Sequence, residues 1–375
     1  MTDRQKRILM GLVMGIGASL FVHHATRISG FVLTDLINGY EYKSYDSRMK
    51  SRASFGEEAS IDDVVIIDIE QNSVESLGNY HEWPHAYHGQ LTDVVSSGNP
   101  KALIFDIIFD EKGAGNYYLV DALASNQTEP LPELQQVANQ YLANNDPTQF
   151  IRSTSKSTVA HHALVFENSD SINFLYAMDQ LPEAYDAKNH VLDISPEIAE
   201  KLPTAERLGN TYFNLLTSAH GVGAANFPQD VDGMIRRAPT AIHFKGSGEV
   251  FPTLIISAVM DILGIPANGF LYDFDNHLLH LRDTTGTIVR EIPIDEQGRM
   301  YVNYYGMFKT FYYIPYMYCF DPEMLDPSYW DGKVALVGSS LPGLMDLRNT
   351  PVQETFAGVE IHANVIHSIL QNEFV

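Results

Sequence analysis

Apolar residues gather near the start of the chain. Arg4, Lys6 and Arg7 precede Ile8–Val22, a run of fifteen positions without a charge. Coiled as a helix at about 1.5 Å per residue, the run reaches roughly 22 Å. A bilayer core of about 30 Å needs about 20 residues. Extension through Ala25 and Ile28, with His23 and His24 near the far interface, closes the gap and predicts a membrane-spanning helix over 8–28. A secretory signal would share the basic start, but no small-x-small cleavage site follows Val22. The pattern therefore predicts a retained anchor, with a helix buried in the core as the alternative. The basic residues set the N-terminus, 1–7, on the cytoplasmic side and everything beyond about residue 30 outside the inner membrane.

Next, Leu33, Leu36, Ile37, Tyr40, Tyr45 and Met49 recur at helical spacing, with Gly39 as a weak point. They predict a juxtamembrane helix over 29–52, either a stalk or an amphipathic helix packed on the domain that follows over 53–375. Asp63–Ile69 and Lys101–Phe109 are almost wholly apolar, as strands covered on both faces of a parallel sheet are. Between them "SVESL" and "HAYHGQLTDVVSS" read as helical, with Gly98 as a C-terminal cap. Strand, helix and strand in so short a span predict a right-handed βαβ unit. The polar stretch 111–157 reads as helices and loops outside the sheet, Thr158–Phe166 as a third strand, and 167–201 as a surface excursion. "GVGAANFPQDVDGMIRRAPTAIHF" reads as two strands around a turn at Gln229–Gly233. "PTLIISAVMDILGI" is apolar on nearly all sides and reads as a buried helix. Short strands follow, then a last sheet strand in "GKVALVGSS" and a last helix over Val359–Gln371. The expected fold is α/β: a mixed, largely parallel central sheet flanked by helices, with β-hairpin additions and one N-terminal transmembrane helix.

Composition narrows the function classes. The 375 residues suffice for a sizeable core, and a formal net charge of −23 argues against nucleic acid, whose phosphates it would repel. Cys319 is the only cysteine, so no intrachain disulfide forms, and the thiol reads as a small buried side chain.

Candidate chemistry lies at strand ends. "VALVGSSLPG" lacks the glycine two beyond the serine that a nucleophile elbow requires, whether Ser339 or Ser340 is taken as nucleophile. Nor does it match a dinucleotide loop. What remains is a strand-to-helix turn whose N–H groups either hold an anion or are satisfied by the serines themselves. Asp68 and Asp106 sit near the C-terminal ends of their strands, the edge where parallel sheets bind ligands. If those strands are neighbours, Asp68, Glu70, Asp106, Asp110 and Asp346 line one rim. The carboxylates there would hold Ca²⁺ or Mg²⁺, with Asp68 and Asp106 as the metal candidates, or take a cationic ligand, or cap helices and pair with Arg348. "QDVDG" resembles the start of a calcium loop but lacks the closing glutamate, so it reads as a turn. His161 and His162 are adjacent on a strand and point to opposite faces, and His362 and His367 are poorly spaced to share one helix face.

Seven pieces occur in order: "VVIIDIEQNSVESLG", "WPHAYHGQL", "GNPKALIFDIIFDE", "NFPQDVDGMIRRAPT", "VNYYG", "DGKVALVGSSLPGLMDLRNTPV" and "GVEIHANVIHSIL". As an ordered set, from about Tyr45 to Phe374, they resemble the type-2 CHASE domain. The resemblance implies an extracytoplasmic sensory module without catalysis of its own, held at the cell membrane by an N-terminal helix. It also implies further membrane helices and an output domain: a class III adenylate or guanylate cyclase, a histidine kinase or a protein kinase. Because such outputs work as dimers, it implies a homodimer. It implies an arginine after Trp83 and Pro84, where this chain has His85. Val375 falls where the family enters its next membrane helix, so a truncated input half is expected. The candidate contacts for an unidentified small-molecule or ionic ligand are Asp68, Glu70, Trp83, His85, Asp106, Asp110, Ser339, Ser340, Asp346 and Arg348. No cofactor is expected beyond such a cation. An exported hydrolase using Ser340 or a metal at Asp68 and Asp106, and a binding domain that signals nothing, are the rival readings.

Overall fold

The computed structural model describes residues 3–26, 32–55, 61–109, 114–125, 132–167, 191–210, 212–341 and 347–375. Seven strands form the central sheet. In chain order they are β1 (Ile61–Asp68), β2 (Ala102–Phe105), β3 (Ala160–Glu167), β4 (Arg207–Asn210), β5 (Gly221–Ala224), β6 (Phe311–Pro315) and β7 (Val334–Gly338). Their spatial order is β6-β1-β7-β2-β3-β4, with β5 also paired to β3. Every pairing is parallel except that of β3 with β4. The sheet is thus mixed and largely parallel, as the apolar strands predict. The condition on which a single carboxylate rim rested, that β1 and β2 be neighbours, is not met: β7, formed more than two hundred residues later in the chain, lies between them.

The helices used below are α1 (Asp3–Thr26), α2 (Val32–Phe55), α3 (Gln71–Leu77), α4 (His85–Ser97), α5 (Gln149–Lys156), α6 (Leu254–Leu263) and α7 (Gly358–Gln371). Side chains alternate across a strand, so each sheet strand feeds two cores. Val65, Ile67, Leu103, Phe105, Ala335 and Val337 pack with Leu91 and Val95 of α4, Phe150 of α5 and Trp330. Val64, Ile66, Ala102, Ile104, Val334 and Leu336 pack with Ile255, Ile256 and Val259 of α6 and Ile361, Val365, Ile366 and Ile369 of α7. Helices on both faces explain why the strands carry no polar alternation.

Glycine is required where a helix presses onto the sheet. A Cβ on Gly338 would meet Val359 at 2.6 Å, so the first turn of α7 rests directly on the end of β7. Gly98 ends α4 at φ −85°, not in the left-handed form of the expected cap. Its missing side chain instead makes room for the carbonyl of Pro327, which a Cβ would meet at 1.9 Å.

Two further expectations change. The turn at Asp230–Gly233 forms, with Gly233 donating to the carbonyl of Asp230, but its flanks do not make a hairpin. The strand before it, β5, joins the central sheet, while Arg237–Pro239 pairs antiparallel with Arg299–Tyr301. Tight glycine positions in β5 let α6 lie against it: a Cβ on Gly223 would meet the backbone of Leu254 at 2.6 Å. The second change concerns 8–28. The N-terminal helix runs Asp3–Thr26, and among the described residues no helix is long and apolar enough to cross a membrane. The fifteen-residue apolar run reaches only about 22 Å, and residues 27–31, on which the expected extension depended, lie outside the described residues. Met10–Phe21 are nonetheless exposed throughout, including Leu12, Val13, Met14, Ile16 and Leu20.

Helices 114–125, 132–144 and 149–156 occupy the polar stretch read as lying outside the sheet, while most of the 167–201 excursion is outside the described residues. Cys319 is buried, and burial pushes its thiol up to about 12. Gly338→Ala is expected to cost about 1–3 kcal/mol through overpacking against Val359, read as a lowered Tm in thermal unfolding.

Candidate functional site

The C-terminal edge of the sheet assembles part of the expected rim. Asp68 pairs in register with Gly338, and the amide of Asp106 donates to the carbonyl of Val337. The two carboxylates therefore sit two strands apart on either side of Gly338, and they project to the face that carries α7. Asp68 is 2% exposed and is closed by the turn after β7. The Ser340 amide donates to its Oδ1 at 2.8 Å and the Ser340 hydroxyl to its Oδ2 at 2.6 Å. Burial raises the Asp68 carboxyl above its usual range, against the pull of these two donors and of Lys309. Ser339 donates to the carbonyl of Ile69 at 2.7 Å and accepts from the Leu341 amide. Glu70 caps α3 by accepting from the amides of Asn72 and Ser73. Asp106 instead approaches His362 of α7, 3.4 Å from its Nε2.

These contacts are those of a turn satisfied by its own side chains. The Ser340 hydroxyl is held by a buried carboxylate, an arrangement that ties down a turn. Asp68 and Asp106 do not converge on one cation, and among the described residues no three His, Cys, Asp or Glu side chains group to hold a metal ion. Asp110 and Asp346 lie outside the described residues. Arg348 belongs to a separate antiparallel pairing of Leu347–Arg348 with Phe356–Ala357.

Trp83 and His85 are on the opposite face. Trp83 is buried, donates from Nε1 to the carbonyl of Gly78 at 2.7 Å and packs on Tyr316. His85, in the first turn of α4, stacks on Tyr212 at 5.3 Å between centroids. Beside it His88 is fully enclosed and meets the Tyr316 hydroxyl at 2.8 Å, and burial holds its imidazole well below its usual value. Of the expected residues that are described, Asp68, Glu70, Asp106, Ser339 and Ser340 gather at the sheet edge, Trp83 and His85 lie on the opposite face, and Arg348 lies in its own pairing.

The strongest polar cluster escaped the sequence reading. Arg236 is 1% exposed, and its guanidinium forks onto Asp46 of α2: Nε to Oδ1 at 2.7 Å and Nη2 to Oδ2 at 2.8 Å. The same group donates to Asp230 at 3.1 Å and Asp232 at 2.7 Å. Asp230 also accepts from Arg237, which reaches on to Asp295, and Asp295 binds Arg299. Tyr42 of α2 lies across both arginines, 4.9 and 5.4 Å from ring centre to guanidinium. The aspartates that looked like an incomplete calcium loop are anchors for arginine. The signal was present in "DVDGMIRRAP", where two acids precede two bases across one tight turn.

A second set of bonds fixes the far end of α2 to residues 302–304, just past the strand Arg299–Tyr301. Tyr45 and Met49, one helical turn apart, are buried. The Tyr45 hydroxyl donates to the carbonyl of Val302, and Arg52 donates to Asn303 Oδ1 and to the carbonyl of Tyr304. The same segment is bound to α7 and the residues just past it. Asn303 donates to the carbonyl of Glu373 at 3.2 Å, the Tyr305 amide to Asn364 at 2.9 Å, and the Tyr305 hydroxyl to Glu373 at 2.9 Å. Residues 299–305 therefore join α2 to α7.

Residues 19–375 match the model of the CHASE2 domain, and the chain belongs to that family. CHASE2 domains are extracytoplasmic sensory domains of signalling receptors, not catalytic ones. No curated protein and no solved structure matches the chain.

Arg236→Ala takes from Asp46 its forked partner and leaves buried Asp230 with Arg237 alone, and is expected to cost about 3 kcal/mol. Arg236→Lys keeps the charge but loses the fork and is expected to recover only part of this. Urea unfolding of the two variants checks both outcomes.

Proposed function

We propose that the chain is the extracytoplasmic input region of a membrane-attached receptor and transmits ligand state by relative movement of α2 and α7. The observation that carries this reading is the segment 302–305, just past the strand Arg299–Tyr301, hydrogen-bonded on one side to α2 and on the other to α7 and its extension. A shift of either helix must break or drag bonds to the other. A ligand transmits through such an element only by favouring one of its arrangements over the other.

In this reading α1 supplies membrane attachment, because its apolar residues Met10–Phe21 face outward with no core to cover them. The ligand is a small molecule or ion. It meets the sheet edge near Asp68, Asp106 and Ser339–Ser340, or the aromatic face around Trp83 and His85. The output is a class III adenylate or guanylate cyclase, with a histidine or protein kinase as the alternative, and the receptor works as a homodimer. These last assignments follow the family's usual partners. An exported hydrolase is disfavoured by the buried bond between Ser340 and Asp68.

Single cysteines placed along α2 and α7 of the receptor in its membrane test the mechanism. Cross-linking between the helices is expected to change between signalling conditions in step with output. Identical cross-links under every condition, while output changes, contradict it.

A further inference from the structure

Glu360 is a carboxylic acid in the first turn of α7 with no exposed surface. Four donors surround it, all from one short segment. Oε1 accepts from the amides of Thr310 at 3.0 Å and Phe311 at 3.5 Å. Oε2 accepts from the Lys309 amide at 3.0 Å and the Tyr313 hydroxyl at 2.9 Å. Lys309 is held at φ +70°, a left-handed conformation that a residue with a side chain adopts at a cost. The next residue, Thr310, accepts from the amide of Ile61, the first residue of β1. Glu360 thus grips a strained segment that borders the start of the sheet.

We propose that Glu360 is a proton-binding site whose occupancy sets how tightly the first turn of α7 holds residues 309–313. The ionised carboxylate accepts all four bonds. A proton on Oε2 turns that oxygen into a donor, with the Tyr313 oxygen as the acceptor within reach. The Lys309 amide then loses much of its partner, and the strained backbone is freed to relax. Burial favours the neutral acid and the four donors favour the carboxylate. Burial outweighs the donors and raises the carboxyl to about 7.

The charged surroundings are few. Lys309 lies over the Phe308 and Tyr313 rings, each at 5.6 Å, and Asp68 of β1 acts on Tyr313. Asp63, at the start of β1, is bonded to His367 of α7. On α7 itself His362 faces Asp106. The charged residue of α6, Asp261, is taken by His161 and His220. β7 and Phe356–Ala357, which also pack on α7, carry no charge.

The sign of the linkage follows from a raised value. Folding is favoured most below the ordinary carboxylate range and loses that contribution as pH rises through about 7. The local hold on Lys309 runs the other way and tightens as the carboxylate forms.

The site is a property of the folded chain and is measured without any output domain, so its failure leaves the receptor reading standing. Amide hydrogen exchange of residues 307–313 in the whole chain, corrected for intrinsic rates, is followed from about pH 5.5 to about pH 8.5. Protection of Lys309 and Thr310 is expected to rise about tenfold across a midpoint near 7. Tyr313→Phe, which removes one donor to the carboxylate, is expected to move the midpoint upward. Glu360→Gln is expected to abolish the pH dependence. Flat protection across the range in the wild-type chain, or a midpoint unmoved by Tyr313→Phe, overturns the proposal even if Glu360→Gln fails to fold.

Discussion

A buried guanidinium organises this molecule. Arg236 is almost fully enclosed and is compensated by three carboxylates, one of which, Asp46, comes from a helix far away in sequence. An enclosed charge of this kind contributes little net stability when paired, yet removing one partner is costly. Its consequence is specificity of placement. The forked geometry admits Asp46 in one orientation, so α2 has one seat on the body of the domain. The network continues through Asp230, Arg237, Asp295 and Arg299, and so ties the same seat to the segment 299–305. Apolar contacts of Tyr45 and Met49 supply the burial that the charges do not.

With α2 seated, the rest of the architecture gains a mechanical meaning. The segment 299–305 has α2 on one side and α7 with Glu373 on the other. α7 in turn lies on β1 and β7 through Val359, Val365 and Ile366. A change at the sheet edge, where the turn after β7 closes over Asp68, is thus one packed layer from the first turn of α7. Close-packed interfaces shift between discrete arrangements and do not bend continuously. A sensory domain needs that property more than it needs a reactive group.

The sequence made some of this legible and hid the rest for physical reasons. Buried parallel strands announce themselves by continuous apolar runs, so β1, β2, β3 and β7 were readable, as were α4, α6 and α7. The heptad-like recurrence ending in Tyr45 and Met49 pointed to a packed helix, and the packed alternative to a free stalk describes α2 where it meets the body. The insertion of β7 between β1 and β2 was not readable, because strand order is decided by contacts distant in sequence. For the same reason the rim of carboxylates did not assemble as expected: Asp68 and Asp106 are separated by β7, and Glu70 turns away to cap α3. The arginine cluster was visible as letters, but nothing local says that Arg236 faces Asp46 and not solvent. Glu360 gave no signal at all, since its four donors lie some fifty residues earlier in the chain. At the N-terminus the apolar run was plain, but its length falls below a full membrane crossing.

Seated in this way, α2 belongs to the same cooperative unit as the sheet and α7. Native-state hydrogen exchange of the amides in residues 42–52, followed in rising denaturant, tests it most directly. These amides are expected to merge with the β1 and β7 amides in one global opening. Exchange of 42–52 through a separate, much easier opening, while the sheet stays protected, would contradict it.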